Sequence, residues 1–254
     1  MQKKILTIAL ALGILLFCFL IYRAGPAQIL DGIKALSWQS FLILMGLRLV
    51  YWILRTYNWK VVVECFDKGQ PFLLLLEARL VANAISYLTP SAMLGGEPIR
   101  ALMLDGPGRK KGLASVTLDK TIEIVTMALF TILAVLIALL WIPMPLRLKA
   151  VFAGFVGLVL ALCLILLAKQ RQGFFIWMVD ALGKIRIHFR FIERNRDKIR
   201  EIDSYISAFY REHRAKIPVV ALLYSLTFLF WAVEIHMTLL FLHVPGLTFI
   251  KSLL

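Results

Sequence analysis

The sequence predicts an all-α, polytopic helical membrane protein with about five full transmembrane helices and one re-entrant broken hairpin. Three observations carry that prediction. Of the 254 residues, 61% are hydrophobic and 17% charged, against about 45–50% and about 25% in a soluble domain. Residues 5–22, 124–142 and 150–168 are uncharged runs of 18, 19 and 19, each about as long as a helix that crosses a bilayer core. Basic residues gather in alternate connections, so 21 of the 29 fall on one side of the topology set out below. A soluble enzyme, a secreted disulfide scaffold and a disordered tail are excluded.

The net charge of +14 would point to nucleic acid in a soluble chain. Here it marks loops on the cytoplasmic side, and no nucleic-acid partner is expected. Cys18, Cys65 and Cys163 have no metal-ligand spacing, and Cys18 and Cys163 sit within apolar spans. No disulfide, metal or cofactor is implied.

Helix 1 covers 5–22. Lys3 and Lys4 before it place the N-terminus in the cytoplasm, and 18 apolar residues exceed the about 7–15 of a cleaved signal peptide. Residues 23–38 form an outer loop holding Arg23 and Lys34. Helix 2, about 38–58, returns with Trp38 at one interface and Tyr57 and Trp59 at the other; Arg55, Lys60 and Lys68 follow on the inside.

The apolar stretch 71–96 has bases on both flanks, with Arg100, Arg109, Lys110 and Lys111 after it. A single crossing would put those four outside. A re-entrant hairpin over 71–104 resolves this, broken at Thr89-Pro90-Ser91-Ala92-Met93-Leu94-Gly95-Gly96. Backbone of this kind stands at membrane depth only where protein buries it or water reaches it.

Helix 3 (about 114–142) exits, Pro143-Met144-Pro145 turns the chain, and helix 4 (146–168) returns into 169–216, with 12 bases and 6 acids. There Ile192, Ile199, Ile202, Ile206 and Phe209 recur at helical steps. The helix they predict either lies on anionic headgroups or packs as an elbow on its own protein. Helix 5 (217–243) exits. The chain reads as one integral membrane domain, 1–254.

Ionisable residues in spans cost about 2.5–3.5 kcal/mol each near the bilayer centre, so they face protein or a wet cavity. Arg48 in helix 2 and Glu234 in helix 5 are candidate cavity-lining residues. Arg79 and Asn83 lie in the first hairpin arm; Asp119, Lys120 and Glu123 open helix 3. A bland alternative is that Lys120 and Glu123 finish a helix as an i, i+3 pair, with Arg48 and Arg79 pairing to these acids across helices. At the hairpin tip, Gly95-Gly96-Glu97-Pro98 signals a helix start, where backbone amides and Arg100 can hold an anion unless Glu97 occupies the cap. Glu234 and His236, two residues apart, point to different faces and make a poor metal site. No nucleophile elbow, P-loop or dinucleotide fingerprint is present, and no catalytic residue is assigned.

Three segments together resemble a known family. They are Asn83-Ala84-Ile85-Ser86-Tyr87-Leu88-Thr89-Pro90, then Gly95-Gly96-Glu97-Pro98-Ile99-Arg100, then Gly112-Leu113-Ala114-Ser115-Val116-Thr117-Leu118-Asp119-Lys120. They resemble the flippase-like transmembrane region of lysylphosphatidylglycerol synthases, which also occurs as stand-alone membrane proteins in bacteria and archaea. The resemblance implies a multi-pass protein of the plasma membrane (bacterial inner membrane or archaeal cell membrane) that handles an anionic phospholipid or lipid-linked headgroup. By position, Asn83, Pro90, Gly95, Gly96, Glu97 and Arg100 match the family's re-entrant motif, and Asp119 and Lys120 its acidic-basic pair. Arginine is expected at the second position of that pair, and lysine lacks its planar fork. The aminoacyl-transferring members carry a soluble catalytic domain after this region, and nothing in these 254 residues resembles it, so lipid aminoacylation is not expected to carry over.

Members of that family usually continue into another broken segment. Residues Pro245-Gly246-Leu247-Thr248-Phe249-Ile250 echo Gly69-Gln70-Pro71-Phe72-Leu73-Leu74, so a second, opposed hairpin is expected to begin near 247 in a chain truncated at its C-terminus. Two such hairpins would form an inverted repeat around a midplane site. The leading functional expectation is movement of a lipid headgroup between leaflets. The alternatives are a non-catalytic partner of a lipid- or glycolipid-synthesising enzyme, docking through 169–216, and a transferase using Glu97 or Asp119 as a base.

Overall fold

The computed structural model describes residues 15, 18–35, 37–88, 96–104, 109–173, 175–177 and 196–242, and all regular structure among them is α-helix. Residues 18–24 are helical, and Gly25 breaks that helix in the left-handed region at φ 83°. Helix α1 (Pro26–Ala35) starts directly after it, with proline at the first helical position, where its missing N–H costs nothing. The outer loop expected over 23–38 is therefore largely helical.

Helix α2 (Trp38–Val63) begins at Ser37, whose hydroxyl accepts the Ser40 N–H at 3.1 Å. It runs five residues beyond its expected end, so Arg55 lies about two turns inside the helix rather than at its mouth. The hairpin's arms are α3 (Phe72–Leu88) and the short α4 (Glu97–Leu102). Its broken tip, 89–95, lies outside the described residues.

Helix α5 (Arg109–Trp141) has 33 residues, about 50 Å at 1.5 Å per residue, against a hydrocarbon core of about 30 Å. Its first turns, with Lys110 and Lys111, therefore project beyond the apolar layer, a helical extension where a loop was expected. Helix α6 (Leu146–Gln172) ends at Gly173, left-handed at φ 105°. Helices α7 (Arg196–Glu212) and α8 (Lys216–Phe241) complete the described chain.

Among the described residues, α2, α5, α6 and α8 are long and apolar enough to cross a membrane. Most of the first expected span, and residues 243–254 where a second hairpin is expected, lie outside the described residues. The protein is an all-α polytopic membrane protein.

Packing is uneven along the bundle. Tight packing sits at the end where α7 docks, around Val62, Ala114, Leu118, Ile206, Phe209, Val220 and Tyr224. Beside it, Trp59, Val63, Leu75, Ala78, Ala101 and Val116 form a second buried cluster against the hairpin arms. Farther along, Leu133, Leu140, Val151 and Leu164 are exposed, as befits side chains whose solvent is lipid rather than water.

Helix α7 adopts the elbow arrangement. Ile206 and Phe209 are buried on α5 and α8 neighbours, and the buried Asp203 carboxylate accepts the N–H groups of Phe175 and Ile176 at 3.1 and 2.9 Å. Lys110 donates to Glu201 across the α5–α7 contact, and that hydrogen bond holds the Glu201 carboxyl below the usual carboxylate range.

Two glycines set how closely the hairpin approaches its neighbours. A Cβ at Gly96 would lie 1.8 Å from the Ala82 carbonyl oxygen, and one at Gly112 would lie 2.8 Å from the Ala101 carbonyl oxygen. Both obstacles are backbone and cannot swing aside. Gly154 and Gly157 on α6 have nothing within 4 Å.

Gly96→Ala is expected to lower the thermal unfolding midpoint in detergent markedly, because α4 must move off α3. Gly154→Ala should leave it unchanged or raise it slightly, since alanine in a helix is about 0.5–1 kcal/mol better than glycine. Equal effects would show that the hairpin arms do not depend on this close approach.

Candidate functional site

The helices bring their polar residues together at the tightly packed end. On α2, Arg48, Trp52, Arg55 and Trp59 recur at steps of four, three and four, one face of the helix. Arg79, Asn83 and Ser86 do the same on α3, and Glu97 and Arg100 lie one turn apart on α4. Helix α5 contributes Asp119, Lys120 and Glu123, and α8 contributes Tyr224.

Asp119 is the centre, with no solvent exposure. Its Oδ2 accepts from Arg79 Nη2 at 2.9 Å and Arg100 Nη2 at 2.6 Å, and its Oδ1 accepts the Tyr224 hydroxyl at 2.6 Å. One carboxylate thus joins α3, α4, α5 and α8. Trp59 covers the two guanidiniums: the Arg100 Cζ stands 4.1 Å from its ring centroid and that of Arg79 5.7 Å. The indole Nε1 in turn donates to Ser115 Oγ at 3.4 Å.

A chain of alternating charge runs outward from this hub. Arg100 Nη1 donates to Glu97 Oε2 at 2.7 Å, and Lys120 Nζ lies 3.6 Å from Glu97 Oε1 and 3.3 Å from Glu123 Oε2. Arg55 donates to the other Glu123 oxygen and to the Tyr51 hydroxyl. The cluster therefore holds four cations (Arg55, Arg79, Arg100, Lys120) and three carboxylates (Glu97, Asp119, Glu123), a net charge of +1. Against it lies a cavity of about 110 Å³, lined by Trp52, Arg55, Asn83, Ser86, Glu97 and Lys120 among others. Arg79 and Arg100 also line it, and the buried Nε of each finds no acceptor among the described residues.

The structure thus gathers Arg79, Asn83, Gly96, Glu97, Arg100 and Lys120 around one cavity, with Asp119 and Glu123 paired to them but outside its lining. Pro90 and Gly95 lie outside the described residues. Glu97 does not cap α4. Gly96 is the cap residue, without a side-chain bond, while the Glu97 carboxylate turns toward Arg100 and Lys120. The Gly96 N–H is itself spent on Ser86 Oγ at 3.0 Å, and a helix of six residues carries little dipole, so the positive charge here is that of the side chains. Lys120 bridges two carboxylates, a task for a compact ammonium that needs no planar fork.

Arg48 pairs across helices, though not with an acid of α5: its Nη2 meets Glu234 Oε1 at 2.6 Å. Arg55, Trp59 and Tyr224 were not assigned to the site from sequence. The tyrosine had a legible signal, because a buried hydroxyl in an apolar span needs a partner. Arg55 was obscured by the short estimate of α2.

Residues 6–250 match the family model described as the lysylphosphatidylglycerol synthase TM region. The chain belongs to this family. It is similar to two UPF0104 membrane proteins of Methanothermobacter thermautotrophicus. One is 26% identical over 90% of this chain and 69% of its own length; the other is 29% identical over 55% and 40%. A UPF0104 membrane protein of Pyrococcus horikoshii is 22% identical over 100% of this chain and 78% of its own. No solved structure matches. The family and the spans together make this a multi-pass membrane protein.

Asp119→Asn would leave Arg79 and Arg100 buried without their counter-charge, and loss of one partner of a buried ion pair costs about 3–5 kcal/mol. Tyr224→Phe removes one hydrogen bond to a charged acceptor, about 1.5–3 kcal/mol. Thermal unfolding in detergent should therefore rank wild type above Tyr224→Phe above Asp119→Asn. An Asp119→Asn protein as stable as wild type would show that the hub does not hold the four helices together.

Proposed function

We propose that the protein moves a phospholipid or lipid-linked headgroup between leaflets, with its anionic group received at the cavity beside α3 and α4. The observation that carries this reading is the excess of one positive charge in the cluster beside that cavity, within a bundle whose long helices expose mostly apolar side chains. An uncompensated cation in such a place is costly unless an anion or water reaches it, and the charge of a phosphodiester would balance the site.

The cavity's size supports a headgroup rather than a whole lipid. At about 110 Å³ it falls below the roughly 300–1,000 Å³ of pockets that enclose complete small molecules. It suits a charged group whose acyl chains remain in the bilayer along the exposed faces of α5 and α6. Within the cluster, Lys120 has the loosest bonds, at 3.3 and 3.6 Å, so a phosphate can replace one of its carboxylates with little rearrangement. Arg55 is the other cation at the cavity edge. Shielding the headgroup in this way avoids its transfer unpaired into hydrocarbon.

Asp119 accepts three hydrogen bonds from two arginines and a tyrosine, which favours an anchoring role over that of a general base in group transfer. We place the protein in the plasma membrane with its N-terminus and α7 in the cytoplasm, so that the cavity receives lipid near the inner leaflet. With no nucleotide-binding motif in the sequence, direction would come from an ion gradient, the membrane potential or removal of product.

In proteoliposomes, acyl-labelled anionic phospholipid should exchange between leaflets in a protein-dependent manner. Arg55→Gln and Lys120→Gln should each slow it about tenfold or more, the effect of losing one charge-assisted contact of about 1.5–3 kcal/mol. Gly154→Ala should not. Exchange no faster than in protein-free vesicles, for anionic, zwitterionic and glycosylated headgroups alike, would overturn the proposal.

A further inference from the structure

A second charged pair stands away from the hub, where α2 and α8 pack along each other. Arg48 lies two turns of α2 from Arg55, about 10 Å at 1.5 Å per residue, on the side away from the α7 end. Glu234 meets it from the far half of α8. One Glu234 oxygen holds Arg48 Nη2 at 2.6 Å. The other, Oε2, is buried and finds no donor among the described residues, although the residue is only 7% exposed.

Arg48 shows the opposite imbalance. Its side chain is 46% exposed, and a guanidinium offers five N–H donors. Among the described residues its ionic partner is Glu234, and its Cζ lies 5.3 Å from the Tyr51 ring centroid. The place therefore presents surplus donors on a cation beside a surplus acceptor on a carboxylate. Each is expensive at bilayer depth if left unmatched.

We propose that Arg48 and Glu234 form a second headgroup station, for a glycerophospholipid whose headgroup carries a hydrogen-bond donor. The phosphodiester takes the exposed N–H groups of Arg48. An ammonium or hydroxyl two carbons farther along the headgroup donates to Glu234 Oε2. A trimethylammonium headgroup has the same phosphate and no N–H or O–H to give, so it leaves Oε2 unmatched. The inference rests on the lipid-handling reading above and adds to it both a substrate class and a path. Arg48 and Arg55 flank the same Tyr51 ring, at 5.3 and 5.9 Å, and Arg55 also lies 5.8 Å from Trp52. A phosphate leaving Arg55 thus reaches the next cation after one aromatic step.

The test uses the whole chain in vesicles containing a phosphatidylethanolamine with a photoreactive diazirine at the top of one acyl chain, the adducts being mapped by peptide mass spectrometry. Adducts are expected on the α2 and α8 segments around Arg48 and Glu234 as well as on those around Asn83 and Lys120. Unlabelled phosphatidylethanolamine or phosphatidylglycerol should compete at Arg48–Glu234 about tenfold better than phosphatidylcholine, the effect of one charge-assisted hydrogen bond. Glu234→Gln should erase most of that preference. Arg48→Gln should remove the adducts there and spare those at Asn83, while Arg48→Lys, which keeps the charge, should retain part of them.

Adducts at Asn83 and none at Arg48–Glu234, or equal competition by all three headgroups, would overturn this station and leave the proposed function standing. Adducts at neither place would overturn both. Displacement by inorganic phosphate as effective as by lipid would show an anion site rather than a phospholipid station, and would overturn the inference as stated.

Discussion

The structure depends on one carboxylate. Asp119 takes charge from two arginines and a hydrogen bond from a tyrosine, and these three partners come from three other helices. Each ion in such a place carries a desolvation cost of several kcal/mol, and a buried pair repays it only when its geometry satisfies the remaining donors and acceptors. The hub meets that condition around Asp119 and, among the described residues, leaves it unmet at the two arginine Nε atoms. An apolar core would hold four helices together as well. What the charged hub adds is position: Arg79 and Arg100 are fixed under Trp59 at a set depth, and the outer charges, Glu97, Lys120, Glu123 and Arg55, are strung from them in order.

The glycines belong to the same constraint. Arg100 reaches Asp119 because α4 lies nearly against the backbones of α3 and α5, and that approach requires hydrogen in place of a side chain at Gly96 and Gly112. The sequence spacing of Gly96, Glu97 and Arg100 is therefore a single geometric unit. The glycine sets the separation, the proline starts the short helix, and one turn later the arginine arrives at the carboxylate. Lys120, next in sequence to Asp119, points instead to the cavity edge, since adjacent helical residues face different ways.

Much of this was legible before any coordinates. Apolar runs of bilayer length located the helices α5 and α6, and the proline and glycine pair after residue 88 separated α3 from α4. Arg79, Asn83, Gly96, Glu97, Arg100 and Lys120 line one cavity, and Asp119 and Glu123 pair with them. What was illegible was set by partners distant in sequence. Nothing near Arg48 says that its acid is Glu234 on α8 rather than one on α5. Tyr224 places a hydroxyl in an apolar span and so signals that it has a partner, but only packing shows that the partner is Asp119. The end of α2 was misplaced because Trp59 reads as an interface aromatic, whereas it lies fully buried over two guanidiniums. Arg55 then moved from the membrane boundary into the site.

Charge also differs between the two levels along α2, and that difference has a consequence for a moving anion. The inner cluster carries a net +1, whereas Arg48 and Glu234 together are neutral. On the proposed reading, a phosphate would be held more firmly by the first than by the second. A pathway of equally strong sites would trap its cargo, and one without an outer cation would force the anion unpaired through hydrocarbon at the cost that burial of a charge imposes. Neutrality at Arg48 comes from Glu234, so on the proposed reading this carboxylate would set how weak the second site is while its second oxygen would select the headgroup. The bonds that fix Arg79 and Arg100 are short and buried, whereas Lys120 is held at 3.3 and 3.6 Å, and Arg48, though 2.6 Å from Glu234, keeps much of its guanidinium exposed. Rigid charge positions the site, and on the proposed reading the more exposed charges at its edges are where lipid would exchange.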